Sequence, residues 1–233
     1  MTPTTQDYDR AFDLECRVNY PAVTAFEGDG PALDRTRLEA AARVLACPVK
    51  AHPPNWQHGR ILYTLMRQRL ALEPNPVTCL DIGTAKGFSA LVMRWALDDA
   101  GVEGTVLSVD VLDPLARVRR NTVAEVDRYL TLAETLAPWP EAQRIEFRQM
   151  TGVAALKSLK RVHVAFVDGK HTFAAVAEEV ALLAARQQAG DLVMFDDAQI
   201  DGVAKAVGAA SSHYEVSRFD LLPHRAYLLG IRR

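Results

Sequence analysis

Acidic residues end two apolar runs of the chain in positions where they could do chemistry together. Asp168 ends VHVAFVD (162–168), and Asp196 and Asp197 end DLVMFDD (191–197). If these runs are neighbouring parallel strands, their three carboxylates meet at one edge of a sheet. Oxygen donors of this kind are the ligands that a hard cation such as Mg²⁺ prefers, and a cation would relieve the repulsion among uncompensated carboxylates.

A structural role for the same aspartates is the alternative. One aspartate could cap the following helix, and another could accept a hydrogen bond from a backbone N–H group. Asp197 stands just before the helical stretch AQIDGVAKAV (198–207), so it is a candidate cap.

A glycine-containing loop follows an earlier apolar run, VTCLDI (77–82), and precedes a helix. In the loop, DIGTAKGFS (81–89), Gly83 and Gly87 allow a tight turn and a close approach of a ligand to the backbone. The N-terminus of the helix offers free N–H groups to a carboxylate such as that of methionine, and Ser89 could add a hydroxyl. An ordinary strand–helix turn would need the same glycines.

Asp110 ends the next apolar run, TVLSVD (105–110). A carboxylate in this position can accept hydrogen bonds from the two hydroxyls of a ribose, as the acidic residue of a nicotinamide dehydrogenase does. The dinucleotide fingerprint G-x-G-x-x-G is nevertheless absent from the sequence, because Ala85 stands where the middle glycine would be. The sequence also lacks G-x-x-x-x-G-K-[ST], the motif that cradles a triphosphate.

Short apolar runs that alternate with helical stretches position these residues. The strand candidates are 77–82, 105–110, 144–149, 162–168 and 191–197. Two more, HYEVSRFDL and AYLLGIRR, follow near the C-terminus, and their short connection makes them antiparallel neighbours. The pattern predicts an α/β fold with a Rossmann-like sheet of seven strands, parallel except for one C-terminal strand, with helices on both faces.

The first third of the chain is predicted to be helical. Apolar residues recur three and four apart over 32–46 and 59–72, and the Pro-rich stretch 47–56 between them is predicted to be a loop. We therefore expect residues 1–56 to pack on the core as a helical segment that covers the substrate or supplies a dimer contact, and residues 57–233 to form the catalytic domain. The basic run RVRR (117–120) is expected to lie on a solvated helix face.

Composition and charge narrow the class of protein. The 233 residues are 49% hydrophobic and 24% charged, which is typical of globular proteins. A net charge of -2 gives no basis for binding nucleic acid or an anionic membrane, and no apolar run is long enough to cross a bilayer. The N-terminus is not a signal peptide, and three scattered cysteines fit reduced thiols, so we expect a cytoplasmic protein.

The loop and the helix after it, LDIGTAKGFSALVM, resemble the first motif of class I methyltransferases that use S-adenosylmethionine (SAM). The form is especially similar to that of catechol and caffeoyl-CoA O-methyltransferases, and the resemblance continues in order from about residue 57 to the C-terminus. It implies that Asp110 holds the ribose and that Asp168 lies beside the cofactor. It also implies contacts to the methionine part from Asp81, Gly83, Thr84, Gly87, Phe88 and Ser89, and to the adenine from Met150, Thr151 and Gly152.

The resemblance extends to the acidic residues. In catechol- and caffeoyl-CoA-type enzymes, residues at the positions of Asp168, Asp196 and Asp197 hold the metal. Those enzymes carry a catalytic lysine three residues after the first ligand, where this chain has His171, and Lys170 stands one residue earlier. The form VDGKH instead resembles the I-D-G-x-H of a bacterial branch that includes sugar and natural-product O-methyltransferases, beside cephalosporin-hydroxylase-like proteins.

A histidine can accept a proton at neutral pH, so His171, together with Asp168, is the candidate catalytic residue. Hydrogen bonding at a helix start without catalysis is the alternative for His171. Lys170 is the alternative candidate for the base.

These observations favour a SAM-dependent O-methyltransferase that uses a divalent cation, with Mg²⁺ expected, and acts on a hydroxyl of a small molecule. The alternatives are a cation-independent methyltransferase with a structural acidic cluster, a hydroxylase-like or hydrolytic relative, and a non-catalytic SAM-binding protein. Acceptor selectivity lies in loops without a portable motif, so catechols, phenolic acids, sugars and macrolide-type glycosides all stay open. The N-terminal helices could also form a homodimer interface.

Overall fold

The computed structural model describes residues 4–28, 31, 33–47, 54–72, 76–119, 128–222 and 225–233. Its strands are β1 (Val77–Ile82), β2 (Gly104–Asp110), β3 (Val118–Arg119), β4 (Tyr129–Leu130), β5 (Ile145–Gln149), β6 (Val164–Val167), β7 (Leu192–Phe195), β8 (Tyr214–Leu222) and β9 (Arg225–Arg232). Its α-helices are α1 (Thr5–Glu15), α2 (Pro21–Glu27), α3 (Arg35–Leu45), α4 (Gln57–Leu70), α5 (Phe88–Ala100), α6 (Leu132–Leu136), α7 (Gly152–Ser158), α8 (Phe173–Ala184) and α9 (Asp201–Ala209).

Seven strands form one sheet in the order β5-β2-β1-β6-β7-β9-β8. The first five are mutually parallel, and β9 runs antiparallel to both of its neighbours, β7 and β8. The predicted α/β fold is therefore confirmed, including the single antiparallel strand. The predicted strand bounds differ from the observed ones by at most two residues at each end.

Helices bury both faces of the sheet. Successive side chains of each inner strand point to opposite faces, so each strand contributes to two hydrophobic clusters. Cys79 of β1 and Phe166 of β6 belong to a hydrophobic cluster with α4 and α5. Their neighbours Leu80 and Ala165 belong to a second cluster with α7, α8 and α9. Near-continuous apolar strands are what a parallel sheet covered on both faces requires.

The N-terminal helices extend the first of these clusters. Phe12 of α1 and Leu38 of α3 are buried in it with Trp56, and Arg60 of α4 forms an ion pair with Glu27 at the end of α2 at 2.5 Å. The predicted helices over 32–46 and 59–72 are observed as α3 and α4, while most of the predicted loop 47–56 lies outside the described residues. The division of the chain at residue 56 stays a prediction.

The expectation of a solvated helix face at 117–120 is wrong for the part of that run that the structure describes. Val118 and Arg119 form β3, which pairs with β4 in a small antiparallel ladder. Arg117 stabilises this ladder because it donates a hydrogen bond to the carbonyl oxygen of Tyr129 and forms an ion pair with Glu134.

None of the helices in the described ranges combines the length and the apolar character needed to cross a membrane.

Candidate active site

The predicted acidic residues meet at the carboxyl edge of the sheet. Asp110 is the last residue of β2, and Asp168 and Asp196 directly follow β6 and β7. The backbone N–H of Asp168 donates to the carbonyl oxygen of Ile82 at 2.8 Å, and that of Asp196 donates to Val167 at 3.0 Å. The sheet ladder thus continues one residue beyond the strands, which holds these carboxylates at one edge, as the sequence predicted.

The loop after β1 requires both of its glycines. Gly83 has a φ of 101°, and a Cβ added there would overlap the carbonyl oxygen of Asp168. Gly87 has a φ of 85° at the start of α5, and its N–H donates to the carbonyl oxygen of Thr84 at 2.7 Å. Both positions lie in the left-handed region that other residues adopt only with strain. The close approach at Gly83 also brings the loop against Asp168.

Asp81 lies beneath the loop, fully buried. Its two oxygens accept hydrogen bonds from Ser89 Oγ at 2.6 Å and Ser108 Oγ at 2.5 Å, and Ser108 Oγ lies 2.6 Å from Thr84 Oγ1. Burial raises the pKa of Asp81 to about 7, although both hydroxyl groups lower it. The network ties β1, β2 and α5 together, so Ser89 is bonded to Asp81 in this structure. Cofactor contacts of Asp81 and Ser89 stay predictions.

One cavity, of about 450 Å³, opens beside Asp110. The carboxylate of Asp110 accepts hydrogen bonds from the backbone N–H groups of Ala85 and Leu112, both at 3.0 Å. Six of the residues predicted to bind the cofactor line this cavity: Gly83, Asp110, Met150, Thr151, Gly152 and Asp168. We call it the Asp110 cavity.

A second cavity, of about 210 Å³, adjoins the first, since Gly83 and Asp168 line both. His58 stacks on the ring of Phe166 on one side of it, with ring centroids 5.6 Å apart. Further predicted residues on its wall are Thr84, Phe88, Ser89 and Asp196. We call it the His58 cavity.

His171 bridges two of the acidic residues. Its Nε2 atom lies 3.2 Å from Asp168 Oδ1 and 3.3 Å from Asp197 Oδ2. The hydrogen bond to Asp168 raises the pKa of His171, burial lowers it, and the charge of Asp197 raises it further, so that the net shift is upward. Among the described residues, Asp168, His171 and Asp197 form the group that could hold a metal ion, with ligand atoms within 4.8 Å of one another.

Arg225 changes the charge balance that the sequence indicated. Its guanidinium lies 2.8 Å from Asp196 and 2.5 Å from Asp197, so the carboxylates are not uncompensated. Burial and the charge of Asp168 raise the pKa of Asp196, and the adjacent guanidinium opposes that rise. Because β9 returns antiparallel beside β7, its first residue, Arg225, lies at the carboxyl end of β7. The expectation that these carboxylates are uncompensated is therefore wrong, and a cation at this site stays a prediction.

The capping role considered for Asp197 is also wrong, whereas the other structural role, an aspartate that binds a backbone N–H group, is confirmed: Oδ1 of Asp196 accepts the N–H of Asp197 at 2.6 Å. Thr172 caps α8 through its side chain, and α9 begins only at Asp201, after Ile200. Asp197 instead has a φ of 53° and accepts hydrogen bonds from Gln199 and Arg225. The strained backbone of Asp197 turns its carboxylate toward His171 and Arg225.

Two residues of this region were not singled out from the sequence. No sequence pattern indicated a special role for Arg225, because its partners Asp196 and Asp197 are far away along the chain. A sequence pattern did indicate one for Glu179, which is buried on the wall of the Asp110 cavity. In α8 it occupies the helical face of Val176, Val180 and Leu183, where periodicity predicts an apolar residue.

The fold and site are those of an α/β protein with a ligand-binding carboxyl edge, and comparison with known proteins narrows the class. The model of a family described as a methyltransferase domain matches residues 80–198, just over half of the chain. The chain belongs to this family, and its resemblance to class I methyltransferases is confirmed. The matched residues include the glycine loop, Asp110, Asp168 and the pair Asp196-Asp197. Comparison with curated proteins finds no match.

Solved structures share the fold at low sequence identity. The O-methyltransferase from Bacillus cereus in complex with SAH (S-adenosylhomocysteine) has a TM-score of 0.61 at 14% identity, covering 92% of this chain and 98% of that one. TomG from Streptomyces achromogenes, an O-methyltransferase involved in tomaymycin synthesis and bound to SAM, has a TM-score of 0.58 at 17% identity. The match covers 91% of this chain and 96% of TomG. An rRNA methylase from Streptococcus thermophilus has a TM-score of 0.54 at 9% identity, and the match covers 74% of this chain and 95% of that one. The fold is therefore shared by enzymes with different acceptors.

Proposed function

We propose that this protein transfers the methyl group of SAM to a hydroxyl group of a small molecule. The observation that carries this proposal is the pair of adjoining cavities that share Gly83 and Asp168. The Asp110 cavity would hold the adenosine of SAM, and the His58 cavity would hold the acceptor. The methyl group would then lie between the two cavities, next to the loop after β1.

The cofactor proposal rests on the hydrogen-bonding capacity at the carboxyl edge. Each oxygen of Asp110 accepts one backbone N–H, and a carboxylate oxygen has two lone pairs, so both oxygens keep capacity for the two ribose hydroxyls. The N-terminus of α5, beginning at Phe88, offers N–H groups to the methionine carboxylate. Met150, Thr151 and Gly152, at the far wall, would enclose the adenine.

His171 is proposed as the base. The acceptor oxygen attacks the methyl carbon, the carbon–sulfur bond of SAM breaks, and SAH leaves with the electron pair of that bond. The proton of the acceptor hydroxyl passes to Nδ1 of neutral His171, whose Nε2 carries the ring proton toward Asp168 at 3.2 Å and Asp197 at 3.3 Å. The raised pKa of His171 makes its neutral form a stronger proton acceptor. Orientation of two bound reactants can contribute up to about 7–11 kcal/mol.

A divalent cation fits the donor atoms of this edge. Asp168, Asp197 and His171 have ligand atoms within 4.8 Å of one another, and Asp196 could join them only if Arg225 released it. A mixed oxygen and nitrogen set suits Mn²⁺ or Fe²⁺ at least as well as Mg²⁺. When bound, the cation would act as a Lewis acid toward the acceptor oxygen. His171 would then be a ligand rather than the base.

Cation-independent methyl transfer is the second candidate, and Arg225 favours it. The guanidinium of Arg225 already pairs with the carboxylates of both Asp196 and Asp197 without a metal ion. In this case the acidic cluster orients His171, and turnover would proceed equally well in excess chelator.

The N-terminal segment is proposed to cover the acceptor. Leu45 and Ala46 at the end of α3, together with Asn55, line the His58 cavity. Asn55 is held there because its amide donates to the hydroxyl of Tyr227 at 2.6 Å. A cavity of about 210 Å³ with these walls would take a small-molecule acceptor.

Calorimetric titration with SAM, with a divalent cation and again with excess chelator, tests the cofactor. Binding followed by methyl transfer to members of a panel of catechols, phenolic acids, sugars and glycosides is the expected result. Transfer that stops in chelator supports the cation, and equal transfer in both conditions supports the second candidate. Absence of SAM binding in both conditions would refute the proposed function.

A further inference from the structure

A buried carboxyl group without a full set of partners lies on the wall of the Asp110 cavity. Glu179 of α8 is only 6% exposed, and its Oε2 atom is buried without a hydrogen-bond partner. The Oε1 atom lies against Gly152, where an added Cβ would overlap it. The absence of a side chain at Gly152 therefore leaves the space that this carboxyl occupies.

The position of Glu179 is electrostatically costly. Burial raises its pKa to about 7, the neighbouring Glu178 raises it further, and Lys170 lowers it. Buried polar groups in proteins normally have hydrogen-bond partners, and those without one call for a specific explanation. A ligand that donates a hydrogen bond into the cavity would supply the missing partner.

The other polar groups of the cavity are already engaged or exposed. The hydroxyl of Thr151 accepts the N–H of Ala154 and caps α7, and Asp168 is bonded to His171. Lys170 and Glu178 are exposed at the rim. Glu179 is thus the buried side chain on this wall that has an oxygen without a hydrogen-bond partner among the described residues.

The remaining wall suits a flat heteroaromatic ring. Ile82, Val111, Met150 and Val153 contribute apolar surface. A cavity of about 450 Å³ lies within the range of small-molecule and cofactor sites, which combine apolar walls with a few polar groups that fix orientation. Ribose bound at Asp110 would direct its base toward this wall.

We propose that Glu179 recognises the adenine of the cofactor by accepting a hydrogen bond from its exocyclic amino group. The inference rests on the proposed function, because it requires SAM or SAH in the Asp110 cavity. The carboxyl accepts such a bond in either protonation state, since even the acid keeps a free carbonyl oxygen. Glu179 would act in binding and specificity and would have no part in methyl transfer.

Calorimetric titration with two ligands tests this inference. The ligands are SAH and its analogue in which hydrogen replaces the 6-amino group. The wild-type protein should bind SAH about tenfold more tightly than the analogue, as expected for one lost hydrogen bond to a buried acceptor. Glu179→Met, which keeps the volume and removes the acceptor, should bind both ligands equally. Glu179→Gln, whose amide oxygen is an acceptor, should keep the preference.

Glu178→Gln is the matched control, because Glu178 precedes Glu179 in α8 but is exposed. It should keep the wild-type preference for SAH. Equal affinity of the wild type for the two ligands, or an undiminished preference in Glu179→Met, would overturn the inference; the first outcome needs no variant to fold. If the wild type bound neither ligand, the proposed function itself would be refuted.

Discussion

The two cavities at the carboxyl edge are built in different ways. The Asp110 cavity is formed by short segments that directly follow strands and by one face of α8, and much of its geometry comes from the backbone at Gly83 and Gly152. The His58 cavity and the cluster beside it depend on side chains from distant parts of the chain, such as Asn55, His58 and Arg225. The Asp110 cavity should therefore tolerate few substitutions at its glycines, whereas the His58 cavity and the cluster beside it depend on the balance of their charges. The following variants test this contrast.

Gly83→Ala should have the largest effect. An added Cβ would overlap the carbonyl oxygen of Asp168, and the backbone at φ 101° disfavours alanine in any case. We expect loss of SAM binding and a destabilisation of several kcal/mol, measured by calorimetry and urea unfolding. Gly190→Ala is the control, because Gly190 has a φ of 86° but nothing within 4 Å of an added Cβ. Gly190→Ala should lower the free energy of unfolding by only about 1–2 kcal/mol and leave SAM binding intact. Equal losses in the two variants would contradict the steric argument.

His171→Ala should slow methyl transfer about 10²–10⁴-fold without changing the affinity for SAM, because the histidine is proposed to act only on the acceptor proton. Single-turnover rates and calorimetric titration would separate the two quantities. His213→Ala, at an exposed histidine, should leave both unchanged. An unchanged transfer rate in His171→Ala would remove the histidine from the mechanism.

Arg225→Met should destabilise the protein by about 3–5 kcal/mol in urea unfolding, because it leaves the buried Asp196 without its ionic partner. The variant should also bind Mn²⁺ more tightly than the wild type, since Asp196 and Asp197 are released as oxygen donors. Arg218→Met is the control, because the ion pair of Arg218 with Asp220 is exposed and worth little. A stability unchanged from that of the control would argue that Arg225 does not balance the cluster.

Glu179→Gln should change the free energy of unfolding the least, and the size of this change should depend on pH. The folded-state pKa of about 7 exceeds the ordinary value of 4.5, so the wild type is fully stabilised below pH 4.5 and loses that contribution as the pH rises through 7. Besides Glu178 and Lys170, the charged groups on the cavity wall are Asp110 and Asp168.

The variant should therefore unfold like the wild type near pH 4.5 and be more stable at pH 8.5 by at most about 3 kcal/mol. Urea unfolding at both pH values measures this difference. Glu178→Gln, at an exposed position, should show no comparable gain. Equal stability of Glu179→Gln and the wild type at pH 8.5 would contradict the raised pKa.

The sequence predicted the Asp110 cavity better than the His58 cavity. Short apolar runs that alternate with helical stretches predicted the strands, and the loop chemistry of Gly83 and Gly87 predicted the turn that the structure contains. The run at 117–120 failed as a helix because Val118 pairs with Leu130 across a connection that local periodicity does not reveal. Glu179 was overlooked although its place on the apolar face of α8 was visible in the sequence.

The sequence by itself determined the order of the strands along the chain, the two buried faces and the position of Asp110, Asp168 and Asp196 at strand ends. These features follow from local periodicity and turn geometry, which act over a few residues. Only the tertiary structure decided that Arg225 would balance Asp196 and that Ser89 would bond to Asp81. The first depends on the antiparallel return of β9 beside β7, and the second on how α5 packs against β1. The first contact joins residues 29 apart along the chain, which no short segment encodes. The second joins residues only eight apart, but it forms only once α5 packs against β1.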